Sequence, residues 1–456
     1  NFSNPDLHAI GAALGDGGAF LRVGGSSADA AGFNIPGTST TQQIVIDEAY
    51  WRELTGFSAA SNLSLVFDLN LLRTRFPNNT WDPTQAKALL AFNADANISV
   101  AAFELGNEPG HFDKRHPNIS ISPAQLAADA ITLRGLLNAS FPSPADRPMV
   151  FGPDVCDGDL FPVCGDSAFF RGIMDGLATE TSPFPVDGVT VHFYPALAVL
   201  ECSVDRFLAL DVLQRSSTAL ATWRDVVAGA VPSFNSTGLP WLILGETATT
   251  GDGGCPNLSN TFAAGFFWVD QMGRAATLNY SVVLRQDLVG YGGIGDGSNY
   301  ALVGDPGWSG NDGDTTLIPN PDFFSTVLWR RLMGHRVLNT TTPAAPDTLL
   351  IYAHCARGGL GYPAGAVAAA FINLDQAGGN VTLSTGLQGS RLEFHLGPGE
   401  AKNLSSRTMS LNGGPPLVLG APMEGSYSSP DSPLSVAPAS YGFVVWPFSA
   451  HPPCMV

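Results

Sequence analysis

The sequence predicts an α/β fold in which a βα barrel is followed by a β-sandwich domain, and three observations carry that prediction. A chain of 456 residues exceeds one simple core and fits two or three domains, or one large barrel with an appendage. From the start to about residue 335, short apolar runs alternate with longer helix-like segments, which is the rhythm of a parallel sheet. After Gly334 the helical periods stop, and short strand-like runs separated by Gly, Pro and Asn take their place.

The first part holds seven strand candidates: AFLRVGG (19–25), LSLVFDLN (63–70), ISVAAFELGN (98–107), PMVFGPDV (148–155), GVTVHFYP (188–195), PWLILGET (240–247) and YSVVLRQDL (280–288). Between them, 123–141 reads as a helix, because Pro123 suits a first turn and apolar residues follow at helical spacing. Segment 258–277 reads the same way. The Gly/Asp-rich run 291–316 is expected to be a long loop, and its GGIGDG lacks the following helix that a phosphate-binding turn requires. In the second part LLIYAHC, AVAAAFINL, NVTLST, SRLEFHL, PLVLG and SYGFVVWPF are the strand candidates. The expected domains are therefore 1–335, the barrel, and 336–456, the sandwich.

Composition narrows the function classes. With 22 basic and 40 acidic residues the formal charge is -18, which disfavours nucleic acid, anionic membranes and polyanionic substrates. No apolar run approaches the length of a membrane span, and nothing resembles a signal peptide. Twelve N-x-S/T sequons, at Asn1, Asn62, Asn78, Asn97, Asn118, Asn138, Asn235, Asn257, Asn279, Asn339, Asn380 and Asn403, point to a glycoprotein of the eukaryotic secretory route. Its destination would be extracellular or the cell wall, or a lysosome or vacuole. Six cysteines without C-x-x-C or zinc spacing indicate disulfides. Of the fifteen pairings that six cysteines allow, spacing favours Cys156–Cys164 within one loop and Cys355–Cys454 across the sandwich, which would leave Cys202–Cys255 between two loops of one barrel face, and the other pairings stay open.

In a βα barrel the strand C-termini converge on the functional face. FELGNEPG ends one strand on Asn107-Glu108, and WLILGET ends another on Glu246. Two carboxylates delivered to one pocket suit glycoside hydrolysis, one as acid and one as nucleophile, roughly 5–5.5 Å apart when stereochemistry is retained. The acid must hold its proton near neutral pH, which burial and neighbouring negative charge would achieve.

An Asn-Glu strand end followed by a later strand-end Glu resembles the clan of retaining glycosidases with the acid/base on strand four and the nucleophile on strand seven. Within that clan FELGNEPG, ILGET with NTFAAGFFWVDQMG, and VVLRQDLVG leading to SNYALV and FFSTVLWRRLMGHRVL resemble the heparanase-like β-glucuronidase family, in that family's order. LRVGGSSAD, LVFDLNLLRT, FGPDV and VTVHFYP extend the likeness over nearly the whole chain.

The resemblance implies a (β/α)8 TIM barrel acting on a carbohydrate substrate without metal or organic cofactor. It assigns Glu108 as acid/base, Glu246 as nucleophile, and Asn107 as the hydrogen-bond partner of the sugar 2-OH. His192 and Tyr194 would line the pocket, the tyrosine orienting the nucleophile, although a lone His beside aromatic residues can equally be a core histidine. Gln286, Asn299 and Tyr300 would hold the uronic acid, and Ser26 stands where the family carries a hydroxyl residue. Arg285 and Gln286 also admit the plainer role of satisfying carbonyls near the barrel end.

The matching begins at barrel strand two, so the first strand is expected to be missing, with a separate N-terminal fragment as the candidate to complete the barrel. Only Lys114-Arg115 resembles the basic cluster that sulfated glycans require, and unsulfated or weakly sulfated glucuronides are the expected substrates. The rival expectation is a catalytically idle structural or cell-surface glycoprotein on the same fold.

Overall fold

All seven barrel candidates form strands: β1 (Ala19–Val23), β2 (Leu63–Leu69), β3 (Ala102–Leu105), β4 (Met149–Cys156), β5 (Gly188–Phe193), β6 (Trp241–Thr247) and β7 (Tyr280–Arg285). The computed structural model describes residues 2–116, 119–156, 167–179, 184–196, 200–237, 239–290, 299–304, 316–341, 346–359, 361–383, 385–387, 389–399 and 403–455, without the side chains of Lys114, Arg115 and Asn235. Asn1, Asn118, Cys164 and the GGIGDG segment, singled out from the sequence, lie outside the described residues.

The seven strands form one parallel sheet in chain order, β1 to β7. Among the described residues no ladder joins β7 back to β1, so the sheet is a nearly closed barrel with one open side. Burial follows position. β5 is buried along its whole length and β6 at every residue but Trp241, whereas β1 is half-buried throughout and β7 buries only Tyr280 and Leu284. Central strands covered on both faces are the ones that read as continuous apolar runs.

Helices α1 (Pro5–Gly15), α2 (Glu48–Ala60), α3 (Thr84–Ala96), α4 (Pro123–Ser140), α5 (Ser167–Leu177), α6 (Leu210–Ala230), α7 (Ala264–Thr277) and α8 (Pro321–Leu332) accompany the strands. Local chemistry starts and stops them. Ser122 caps α4 by accepting the Gln125 N–H, with Pro123 at the first helical position. Asn97 ends α3 at φ 53°, a conformation Asn tolerates better than most residues. Helix α7 begins at Ala264, six residues later than its sequence pattern predicts, because 258–263 fold as turns behind Cys255.

The second sheet is antiparallel, with β8 (Met333–Leu338), β9 (Leu349–Ala356), β10 (Val367–Asn373), β16 (Ser440–Trp446), β12 (Arg391–Pro398) and β13 (Met409–Leu411) in that spatial order. β14 (Ser426–Ser428) pairs with β12, and β11 (Val381–Leu383) pairs with β15 (Leu434–Val436). PLVLG, expected as a strand, is a turn region held by a single bridge from Ser410 to Pro416. Pattern reading missed β8 and the three-residue strands β13, β14 and β15.

Helix α7 joins the two sheets. Phe266 and Trp268 of α7 pack with Phe323 and Leu328 of α8 and with Tyr441, Phe443 and Val445 of β16 in one buried cluster. Burying each such side chain contributes roughly 1.5–3 kcal/mol. A Cβ at Gly265 would lie 1.9 Å from the Tyr441 hydroxyl, and one at Gly273 would lie 2.2 Å from the Tyr352 ring, so both positions must be glycine for the sheet to approach. The disulfides Cys202–Cys255 and Cys355–Cys454 form as the spacing predicts, and Cys156 is disulfide-bonded as well.

Candidate active site

Glu108 follows β3 and adopts φ 50°, a left-handed conformation that costs a non-glycine residue about 1 kcal/mol or more. Its backbone is fixed on both sides: its N–H donates to the Asp154 carbonyl at 3.0 Å, and its own carbonyl accepts the His111 N–H at 2.9 Å. The carboxylate thereby leaves the strand direction and faces the mouth of the barrel. Glu246 reaches the same place from β6. A register irregularity between β5 and β6, at Val191/His192, makes His192 the direct partner of Glu246.

One oxygen of Glu108, one oxygen of Glu246 and a ring nitrogen of His192 lie within 4.8 Å of one another. Both glutamates are largely buried, 8% and 9% exposed, and both line a cavity of 1470 Å³. That cavity is lined by Ser26, Asn107, His111, His192, Tyr194, Gln286 and Tyr300 at the strand C-terminal ends, and it continues down the open side between β1 and β7.

Each oxygen of Glu246 has a donor. Tyr194, just past β5, donates its hydroxyl to Oε1 at 2.5 Å, and Arg22 of β1 donates to Oε2 at 3.1 Å. Arg22 also binds Glu104 at 2.6 Å and Asp154 at 3.1 Å, lies 3.9 Å from Asp68, and donates to Oδ1 of Asn107 at 3.1 Å. One buried guanidinium on β1 thus reaches carboxylates of four other strands, β2, β3, β4 and β6, from inside the barrel. Burial raises the carboxyls of Asp68 and Glu104, the latter to about 8, against the opposing charge of Arg22. Asp154 is held at about 2, because Arg22 and His192 outweigh its burial.

His192 is fully buried between carboxylates. Nδ1 lies 3.2 Å from Glu108 Oε1 and 4.0 Å from Glu246 Oε2, and Nε2 lies 3.5 Å from Asp154. Burial alone would lower its pKa, but Glu246, Asp154 and Glu108 raise it to about 10, which favours the imidazolium over the neutral ring.

The charges around Glu108 differ from those the sequence suggests. Burial pushes its carboxyl up, but hydrogen bonds and charge from His111 and His192 prevail and hold it below the ordinary carboxylate range. The sequence reading supplied only neighbouring negative charge. The two imidazoles that reverse the sign stand beside Glu108 in space, one three residues on and one on another strand.

The other predicted residues fall at or beside the cavity. Asn107 is buried, and its N–H meets Asp29 at 3.4 Å. The Tyr300 ring stacks on Tyr194 with centroids 6.3 Å apart. Asn299, whose N–H donates to the Gly253 carbonyl, precedes Tyr300 but is not among the cavity-lining residues. Gln286 lines the cavity and donates its N–H to Thr247 at 2.9 Å. Arg285 takes the plainer role: it binds Asp322 at 2.7 Å and the Gln286 carbonyl at 2.9 Å, and covers the Trp268 ring. Arg22 and His111 escaped the sequence reading. A charge inside the apolar run AFLRV, with acids in the runs LSLVFDL and AAFEL, was the available signal for Arg22.

The chain is similar to known proteins in sequence and in fold. The model described as "Glycosyl hydrolase family 79, N-terminal domain" matches residues 39–273. The chain is 30% identical over 431 residues to a protein named Heparanase from Bos taurus, covering 89% of this chain and 71% of that one. It is 28% identical over 395 residues to a protein named Inactive heparanase-2 from Mus musculus, covering 84% of this chain and 60% of that one. Among solved structures, a 4-O-α-L-rhamnosyl-β-D-glucuronidase from Fusarium oxysporum 12S superposes with a TM-score of 0.66 at 15% identity, covering 97% of this chain and 92% of that one, a likeness of fold.

Proposed function

We propose that this chain, which belongs to glycosyl hydrolase family 79, is a retaining β-glycoside hydrolase that cleaves β-linked glucuronosyl residues by double displacement. The observation that carries the reading is the approach of Glu108 and Glu246 within 4.8 Å. That separation suits a nucleophile and an acid/base on one anomeric carbon and is shorter than the spacing an inverting enzyme uses.

In this reading Glu246 attacks C1 while Glu108 protonates the departing oxygen, which gives a glycosyl ester on Glu246. Glu108 then takes a proton from water, the water oxygen bonds to C1, and Glu246 leaves. Tyr194 and Arg22 hold Glu246 in line for attack. Asn107 binds the sugar 2-OH, and Gln286, Tyr300 and Ser26, which line the cavity, receive the uronate end, with Asn299 beside Tyr300 at its border. The proposed setting is the extracellular space or cell wall, or a lysosome or vacuole, in keeping with the disulfides Cys202–Cys255 and Cys355–Cys454. The charge of -18 favours unsulfated glucuronides.

Residues 1–335 act as the catalytic barrel and 336–456 as the sandwich. The open side between β1 and β7 accepts an eighth strand from a further segment, such as a separate N-terminal fragment, because half-buried edge strands with unpaired backbone groups favour a partner. Glycosylation agrees with the nine sequon asparagines whose side chains are described, all of them exposed.

A second reading, an idle scaffold, is favoured by the relative named Inactive heparanase-2. Turnover of 4-nitrophenyl β-D-glucuronide by wild type, Glu108→Gln and Glu246→Gln separates the two. Activity lost in Glu246→Gln supports the enzyme. Activity surviving both substitutions, or absent from the wild type across a panel of glycosides, removes it.

A further inference from the structure

His111 is the least expected residue at the site. It ends the short turn Pro109–His111, whose backbone bond to the Glu108 carbonyl brings the i+3 side chain back over residue i. Its ring is 6% exposed. Nδ1 lies 3.2 Å from Oε2 of Glu108, while Nε2 faces the Cys156 sulfur at 3.6 Å. A disulfide sulfur is a weak acceptor, so the ring has one strong partner among the described residues, and that partner is Glu108. With His192 against Oε1, the carboxyl is bracketed by one imidazole on each oxygen.

We propose that His111 is a positioning residue for Glu108: placed against Oε2 while His192 stands against Oε1, it fixes the plane of the carboxyl that donates to the leaving group. The inference rests on the reading of Glu108 as acid/base. The groups that face Glu108 among the described residues are His111 from its own turn, His192 from β5, Tyr194 just past it, Glu246 from β6, and the Asp154 carbonyl from β4; Arg22 of β1 reaches Glu246 and Asn107 beside it. The two imidazoles favour the carboxylate, His192 through a hydrogen bond and His111 from ion-pair distance, and Glu246 opposes it. Without His111, burial and Glu246 gain weight, and Glu108 keeps its proton to higher pH. A histidine that served only to pack the turn would lack this effect.

The test is carboxyl ¹³C NMR titration of glutamate-labelled protein, with the Glu108 resonance identified by its loss in Glu108→Gln, alongside pH profiles of kcat/KM on phenyl β-D-glucuronide. In His111→Phe the Glu108 midpoint moves up by about one pH unit, and the alkaline limb of kcat/KM moves with it. His111→Gln, which keeps a donor at that position, moves both by less. An unchanged midpoint in both folded variants, checked by near-UV circular dichroism, overturns the inference. A midpoint that shifts while the alkaline limb persists in Glu108→Gln overturns the acid/base reading instead, and leaves the His111 contact standing.

Discussion

Tyr194 donates its hydroxyl to Oε1 of Glu246 across 2.5 Å, on the side of the carboxylate opposite to the Arg22 bond. A carboxylate gripped at both oxygens cannot rotate, and an in-line nucleophile needs that restraint. The bond is charge-assisted and buried, which places it among the stronger kind.

Tyr194→Phe therefore lowers kcat about ten- to a hundredfold, the equivalent of about 1.5–3 kcal/mol for a hydrogen bond to a charged group. KM for 4-nitrophenyl β-D-glucuronide changes less. Steady-state kinetics check this, and a kcat equal to wild type would show that the hydroxyl does not restrain Glu246.

Arg22→Leu removes the cation shared by Glu104, Asp154 and Glu246 inside the barrel. Breaking a buried ion network from one side costs about 3–5 kcal/mol, because the acids stay buried without a counter-charge. The urea midpoint of the barrel falls accordingly. Adding Glu104→Gln to Arg22→Leu recovers part of the loss, which a double-mutant cycle measures.

Most of the fold was legible because a parallel strand buried on both faces must be a continuous apolar run, and each of the seven runs became a strand. Strand ends were legible for the same reason: Glu108 and Glu246 break apolar runs where a core would not accept them. What escaped depends on long-range pairing. Arg22 gains its meaning only from acids on other strands, and His111 reads as an ordinary loop residue until the turn folds it onto Glu108. In the sandwich, β13, β14 and β15 are too short to show an alternation, while the apolar PLVLG imitates a strand and is a turn.

His192 makes stability depend on pH with a definite sign. Its folded-state value of about 10 exceeds the ordinary histidine value of about 6.5. The stabilisation is complete below about 6.5 and is lost as pH rises toward 10. Glu108 works in the opposite direction, its contribution present above the ordinary carboxylate value and lost in strong acid. Thermal unfolding between pH 6 and pH 10 shows a declining Tm in wild type and a flatter profile in His192→Gln. Equal slopes would contradict the buried imidazolium.

Gly265→Ala places a methyl 1.9 Å from the Tyr441 hydroxyl at the junction of α7 and β16. The overpacking costs about 1–3 kcal/mol. Tyr441→Phe in the same chain relieves the clash in part, and chemical denaturation of the single and double variants measures both effects.

The most direct measurement uses 2,4-dinitrophenyl 2-deoxy-2-fluoro-β-D-glucuronide, whose fluorine slows release of the glycosyl-enzyme, followed by peptide mapping of the trapped protein. The label is expected on Glu246, in the peptide that carries Trp241–Thr247. A label on Glu108 or on any other carboxylate, or inactivation without a covalent adduct, would contradict the arrangement of two glutamates across one anomeric carbon.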